Sequence, residues 1–339
     1  EFRRVLFRSR RALTSLVFRH LFPFPKRLEA VGRLLRWYQR SPLPALVQRA
    51  AAFGLLPKRL AVMERMAPTL NDQFFKSPPS EVVPATSSRR FRVGMVSGCI
   101  MPLAFAPTND ATVRVLAANG CDVVIPHAQR CCGALAAHAG DESAAASMAR
   151  ANIDAFESFG IDEFDAIVIN SAGCGAQIKG FDHLLRHDPA YAARARRFVS
   201  KVEDVAEFLA RVGLTAPLGP VARTVTYQDA CHLVHGQGVR SQPRELLGQI
   251  PGLTFVEMRD STRCCGSAGI YNILQPDTSA KVLEAKLENV CTTGAECVVA
   301  SNPGCLLQIN MGLRERGVAM DGKHLVDILD EAIAAGRRE

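Results

Sequence analysis

Ala166-Ile167-Val168-Ile169-Asn170-Ser171-Ala172-Gly173-Cys174 runs from a short apolar stretch through small residues into a cysteine, and Cys297-Val298-Val299-Ala300-Ser301-Asn302-Pro303-Gly304-Cys305 does the same 131 residues later. A short apolar run bounded by turn residues predicts a buried strand that gives way to a loop or helix. Working outward, Cys131-Cys132-Gly133 recurs as Cys264-Cys265-Gly266 at an offset of 133, and Cys99 recurs as Cys231 at an offset of 132. Arg130 and Arg263 precede the two Cys-Cys-Gly units. Three offsets that agree this closely mark a tandem repeat of domain size, not a solenoid unit.

The strands predicted from these runs set the fold class. Cys99 follows Phe91–Val96, Cys231 follows Val225-Thr226-Tyr227, and the Cys-Cys-Gly units follow Val123-Val124-Ile125 and Phe255-Val256. β-Branched runs alternating with Ala-rich helical stretches predict parallel α/β units. The expectation is an α/β protein with two tandem, pseudo-symmetric parallel-sheet modules, 91–215 and 221–337, preceded by a helical segment. Residues 71–90, with Pro78, Pro79, Pro84 and Thr86-Ser87-Ser88-Arg89-Arg90, read as a linker.

Parallel sheets bind ligands at the carboxyl edge of their strands, and that is where each module places its cysteines. Cys99, Cys131, Cys132 and Cys174 are expected to converge in the first module, and Cys231, Cys264, Cys265 and Cys305 in the second. Sulfurs of one module should lie within roughly 8 Å of a common point if they share a cluster. Eleven cysteines, an odd number, without a secretory signal at the start of the chain, argue against a disulfide framework. Cys121, Cys291 and Cys297 have no repeat partner and read as small apolar side chains. Zinc and iron–sulfur groups share thiolate ligands, so structural zinc competes with a cluster at this point. His232, beside Cys231, is a candidate hydrogen-bond donor to the group or a proton carrier, against the plainer reading of a packing histidine. His127 and His235 lie near the motifs and are weaker candidates.

Charge is uneven along the chain. Residues 1–66 carry 15 Lys/Arg against 3 Asp/Glu, while the remainder is slightly acidic, with 26 against 30. Apolar positions at helical spacing (Leu13, Leu16, Val17, Leu21; Val31, Leu34, Leu35, Tyr38) and breaks at Pro23, Pro25, Pro42, Pro44 and Pro57 predict a basic helical segment over 1–70. It reads as a face toward a partner subunit or anionic membrane, or as a layer packed on its own domain. No nucleic-acid-reading motif accompanies it, and no nucleic-acid partner is expected. No apolar run is long enough to span a membrane. A Gly-x4-Gly-Lys phosphate loop, a Gly-x-Ser-x-Gly elbow and a His-Glu-x2-His pair are all absent from the sequence, and no catalytic residue is expected on this chain.

The arrangements Cys–x31–Cys-Cys-Gly–x37–Ser-Ala-Gly-Cys and Asp229-Ala230-Cys231-His232–x31–Cys-Cys-Gly–x35–Asn-Pro-Gly-Cys resemble the paired cysteine-rich (CCG) domains. Such domains occur in heterodisulfide reductases, lactate-utilisation proteins, anaerobic glycerol-3-phosphate dehydrogenases and the glycolate oxidase iron–sulfur subunit. The Arg- and Leu-rich stretch Arg10–Pro68 and the segment Ser301–Ile309 make the chain most similar to the last of these. The resemblance implies iron–sulfur ligation, one or two centres of the 4Fe-4S kind, by the eight repeated cysteines. It implies an electron-transfer subunit of a glycolate dehydrogenase complex. FAD and the hydroxy-acid site would lie on partner subunits, and electrons would pass toward a quinone or membrane acceptor. A cytoplasmic location follows, with peripheral contact at the inner face of the membrane. The alternatives are electron transfer for lactate or glycerol-3-phosphate, or a zinc-stabilised scaffold. Two departures matter. No cysteine precedes Cys99, so the family's ferredoxin-like motifs are missing and the chain reads as N-terminally truncated. Ser171 and Asn302 stand where heterodisulfide reductase carries a fifth cysteine, so each module keeps four thiols.

Overall fold

The computed structural model describes residues 16–55, 64 and 67–338. In the first module, strands β1 (Val82–Val83), β2 (Phe91–Val96), β3 (Cys121–Val124), β4 (Ala166–Ile169) and β5 (Val202–Asp204) form a sheet in the order β1-β3-β2-β4-β5. Strands β2 to β5 are parallel, and only β1 runs antiparallel, against β3. The second module has β6 (Arg223–Tyr227), β7 (Leu253–Phe255), β8 (Cys297–Ala300) and β9 (Asp321–His324), all parallel, in the order β7-β6-β8-β9. Without β1, the two orders are the same, so the cysteine repeat is a repeat of topology. β1 lies inside the segment read as a linker, whose Pro-rich composition gives no strand signal.

The central strands β4 and β8 are buried along their whole length. Helices cover both faces of a parallel sheet, which is why these strands are continuously apolar and do not alternate. Cys121 and Cys297 sit inside strands at 0% exposure, in the apolar role expected of them.

The modules meet through reciprocal helix pairs. Helix Ala106–Ala118 of the first packs on Leu325–Gly336 of the second, and Val205–Val212 packs on Gln242–Leu247. Val115, Leu116, Phe208 and Leu209 thereby share one buried cluster with Leu246, Leu247, Ile328 and Leu329. Across the seam, the Ala172 N–H donates to the Ser301 carbonyl at 3.0 Å, and Arg114 forms a two-pronged pair with Asp330. Helix Ala172–Lys179 lies against helix Cys231–Gln237, which brings the cysteine-bearing edges of the two sheets together.

The basic segment forms helices Pro25–Arg40 and Leu43–Ala52, started by Pro25 and Pro42 as expected. Its apolar positions divide between an inner and an exposed face. Leu28, Gly32 and Leu35 face inward, with Gly32 leaving room for the Phe74 ring, whereas Leu34 is 65% and Trp37 63% exposed. Arg36 donates to the carbonyls of Asn71 and Asp72 and lies over Phe74, and Arg33 pairs with Glu29. Part of the arginine surplus therefore holds the helix to its own module. Leu13 and Pro57 lie outside the described residues.

Candidate metal centre

Every repeated cysteine leaves the carboxyl end of a strand. Cys99 follows β2 and Cys131-Cys132 follow β3, while Cys174 sits in the first turn of helix Ala172–Lys179 after β4. Cys231 opens helix Cys231–Gln237 after β6, Cys264-Cys265 follow β7, and Cys305 sits in the first turn of helix Pro303–Glu315 after β8. Helix N-termini favour nearby negative charge, so a sulfur placed there is stabilised as thiolate.

The glycine of each Cys-Cys-Gly unit has a steric reason. Gly133 and Gly266 adopt φ of 82° and 89°, where a side chain is strained. A Cβ on Gly133 would sit 3.0 Å from Ala145 Cα, and one on Gly266 would sit 2.6 Å from the Ser279 carbonyl oxygen. The glycine lets the loop reverse against the following helix, which turns both sulfurs inward.

Within a module the sulfurs form a chain of contacts. Cys99 and Cys131 Sγ are 3.3 Å apart, and Cys132 and Cys174 Sγ are 3.2 Å apart, with Cys131 and Cys132 joined thiol to thiol. The second module repeats the order, Cys231 with Cys264, Cys264 with Cys265, Cys265 with Cys305. Cys131, Cys132, Cys265 and Cys305 are buried and the other four half-buried. All eight open on one cavity of about 480 Å³, walled also by His138, His232, Phe18 and Phe22. The sequence led us to expect two sites, and the structure places both quartets on one shared chamber.

The electrostatics of the thiols suit a cationic occupant. Cys131 is lowered by its Cys132 contact, yet the Cys99 contact and burial push it well above the ordinary thiol range. Cys174 is raised likewise, by Cys132 and then burial. In the second module Cys264 is held down by Cys231 and Cys265, helped by the Gly266 N–H at 3.3 Å. Cys305 is held down by Cys265 against burial, and Asn302 Nδ2 donates to its Sγ at 3.2 Å. Four crowded thiols cannot all ionise in a water-poor site unless bound metal offsets the repulsion. The donor set thus fits an iron–sulfur group. Among the described residues, no three His, Cys, Asp or Glu side chains stand as a ready-made site for a single metal ion.

His232 stands at the chamber wall, with Nδ1 3.8 Å from Cys231 Sγ and its ring stacked on His138 at 5.6 Å. His138 was not legible in the sequence, because it has no repeat partner and ends an unremarkable helix, Ala134–His138. Asn302 was also missed as a functional residue: besides its bond to Cys305, its Oδ1 accepts from the Gly173 N–H at 3.1 Å and so ties the modules together at the site. His127 and His235 are exposed and outside the chamber, His127 lying 3.4 Å from Glu81. Arg130 lies over the Phe24 ring and Arg263 pairs with Asp260.

Comparison with known proteins agrees with this geometry. Residues 93–179 and 225–310 match the cysteine-rich (CCG) domain family, and residues 9–67 match the linker region of the glycolate oxidase iron–sulfur subunit. A probable glycolate oxidase iron–sulfur subunit of Bacillus subtilis is 38% identical over 331 residues, 95% of this chain and 73% of that protein. The chain belongs to the glycolate oxidase iron–sulfur subunit family. Lactate utilization protein A of an Exiguobacterium species is 28% identical over 71% of this chain and 98% of its own. One of the subunits of the fumarate reductase (CoM/CoB) from Methanothermobacter marburgensis is 32% identical over 71% of this chain and 46% of its own. In this member of the glycolate oxidase iron–sulfur subunit family, the two cysteine-rich matches enclose all eight repeated cysteines, and the linker match contains the helices that carry Phe18 and Leu28. Among the described residues, no helix is long and apolar enough to cross a membrane.

Proposed function

We propose that this chain carries electrons from a flavin-bearing partner, which oxidises glycolate to glyoxylate, toward a quinone or other membrane acceptor. The observation that supports it most is the single chamber faced by both cysteine quartets. Cys99, Cys131, Cys132 and Cys174 would hold one centre and Cys231, Cys264, Cys265 and Cys305 a second, both of the 4Fe-4S kind. Bound there, an iron–sulfur group supplies reversible one-electron oxidation and reduction. The chain's own residues hold the thiolates in place and keep water out. Phe18 and Phe22 close one side of the chamber, Asn302 and the Gly266 N–H donate to sulfur, and the stacked His138 and His232 present polar edges to the interior. No flavin site or base for a hydroxy acid is assigned to this chain, so its substrate is the electron.

Glycolate is favoured over lactate by coverage. The Bacillus relative aligns over 95% of the chain and the linker match spans 9–67, whereas the lactate utilization relative aligns over 71%. The exposed Leu34 and Trp37 face is the proposed seat of the flavin partner. The test is to prepare the chain with its flavin partner anaerobically and add hydroxy acids. Glycolate should bleach the visible iron–sulfur absorbance at least about tenfold faster than lactate, the discrimination a single methyl group allows. Leu34→Asp with Trp37→Asp should abolish co-purification while iron stays bound. Equal or faster bleaching by lactate would overturn the glycolate assignment.

A further inference from the structure

We infer that Lys286 makes the metal centre of the second module the more easily reduced of the two, so that electrons entering the chain come to rest beside Cys265 and Cys305. The inference rests on the reading that each quartet holds an iron–sulfur centre.

Lys286 lies on helix Pro276–Cys291 and is fully buried, at 0% exposure. Its Nζ donates to the carbonyls of Asp260 and Ser261 at 3.0 Å each and approaches Met258 Sδ at 3.6 Å. Those carbonyls belong to the loop that leads from β7 into Cys264. Lys286 bonds no carboxylate among the described residues.

The first module has a counterpart, and it is neutral. Helix Glu142–Glu157 begins 134 residues before Pro276, and Gly133 packs on Ala145 as Gly266 packs on Ser279, again 134 apart. The same offset carries Asn152 onto Lys286. Asn152 is buried and donates to the Cys131 and Met148 carbonyls at 3.0 Å each, while its Oδ1 accepts from the Arg130 N–H at 2.9 Å. Each module thus anchors its Cys-Cys loop with a buried donor from the same helix position. An amide suffices for that in the first module, so the ammonium of the second brings something the anchoring does not need.

What it brings is a positive charge fixed on the loop carbonyls of Asp260 and Ser261, four and three residues before Cys264. Burial pulls Lys286 down to about 8, opposed by the charges of Cys265 and Cys305, and it stays cationic at neutral pH. The other charges nearby are held in pairs, and of the carboxylates only Asp229 is buried. Asp229 is held by Arg244 at 2.8 and 3.0 Å, Arg244 also pairs with Glu257, and Arg263 pairs with Asp260. A cation in a low-dielectric site favours the state that carries one more electron, and buried charges are little screened by salt. The first module has no such charge at the equivalent place, so the two centres are unequal.

The test is a redox titration of the full, anaerobically prepared protein, followed by electron paramagnetic resonance, with Cys265→Ser used to assign the second-module signal. Lys286→Gln keeps an amide donor, as in the first module, and removes the charge. The second-module midpoint should fall by about 59 mV, a tenfold change in a one-electron equilibrium, with iron content kept and the first-module midpoint unmoved. Lys286→Met, of similar length, is the second variant and should give the same shift. Unmoved midpoints, or equal movement of both, in iron-replete variants would overturn the inference. So would loss of iron from both variants, which would make Lys286 a purely structural anchor. Absence of iron from the unmodified protein would instead defeat the iron–sulfur reading itself.

Discussion

Replacing Cys265 or Cys305 with serine should strip the second module of metal and leave the protein with about half its iron, because a hydroxyl is a poor ligand where a thiolate is needed. Electron transfer to an external acceptor should fall with it. Both cysteines are buried and joined to each other at the end of the thiol chain, so a missing sulfur is not replaced by solvent. Cys132→Ser and Cys174→Ser should remove the other half, since those sulfurs occupy the matching contact at 3.2 Å in the first module. Cys291→Ser is the control. That residue ends helix Pro276–Cys291, outside the chamber, and iron content should be unchanged. Iron analysis of the anaerobically purified variants reads the result, and full iron in Cys265→Ser and Cys305→Ser would refute the ligand assignment.

The second large effect is on stability against pH, from two residues that cap equivalent helices. Asp204 ends β5 and accepts from the Ala206 N–H, while His324 ends β9 and accepts from the Val326 N–H through Nδ1. Both are fully buried. Burial pushes Asp204 up to about 7, so the folded chain keeps a proton that the unfolded chain loses near pH 4. Its contribution therefore falls as pH rises from about 4 to 7, by about 4 kcal/mol in all. His324 has the opposite sign. Burial pulls it down to about 4, and the unfolded chain takes up a proton below about 6.5 that the folded chain refuses. Stability is lost as pH falls through that window, by about 3 kcal/mol. Urea unfolding of single variants against the unmodified protein separates the two, since other titrating groups cancel in the difference. Asp204→Asn should gain on the unmodified protein as pH rises from 4 to 7. His324→Asn keeps a capping side chain and should gain on it as pH falls from 6.5 to 4. A difference that does not change with pH would contradict the corresponding assignment.

The repeat was legible because three levels of sequence agree. Apolar runs give the strands, Cys and Gly punctuate their ends, and the offsets are nearly equal. Parallel α/β modules could then be inferred, and the cysteines fell at the carboxyl edges as expected. The shared chamber was not legible. It depends on how helix Ala106–Ala118 meets Leu325–Gly336, and Ala-rich helices buried on several sides do not name their partner. The inner face of helix Pro25–Arg40 was not legible either, because Leu28 and Leu35 point in while Val31, Leu34 and Trp37, equally apolar, stay exposed. Periodicity alone cannot rank two apolar stripes on one helix. Lys286 escaped notice because a lysine in a helix reads as solvent-facing, and only the fold shows it behind the second Cys-Cys-Gly unit.

The central claim is that the two quartets hold iron–sulfur centres. Its most direct test is iron, zinc and acid-labile sulfide analysis of the anaerobically prepared protein. The prediction is iron and sulfide in near-equal amounts, about four of each per quartet that is filled, with broad visible absorbance that reductant bleaches. Zinc without sulfide or colour would contradict it.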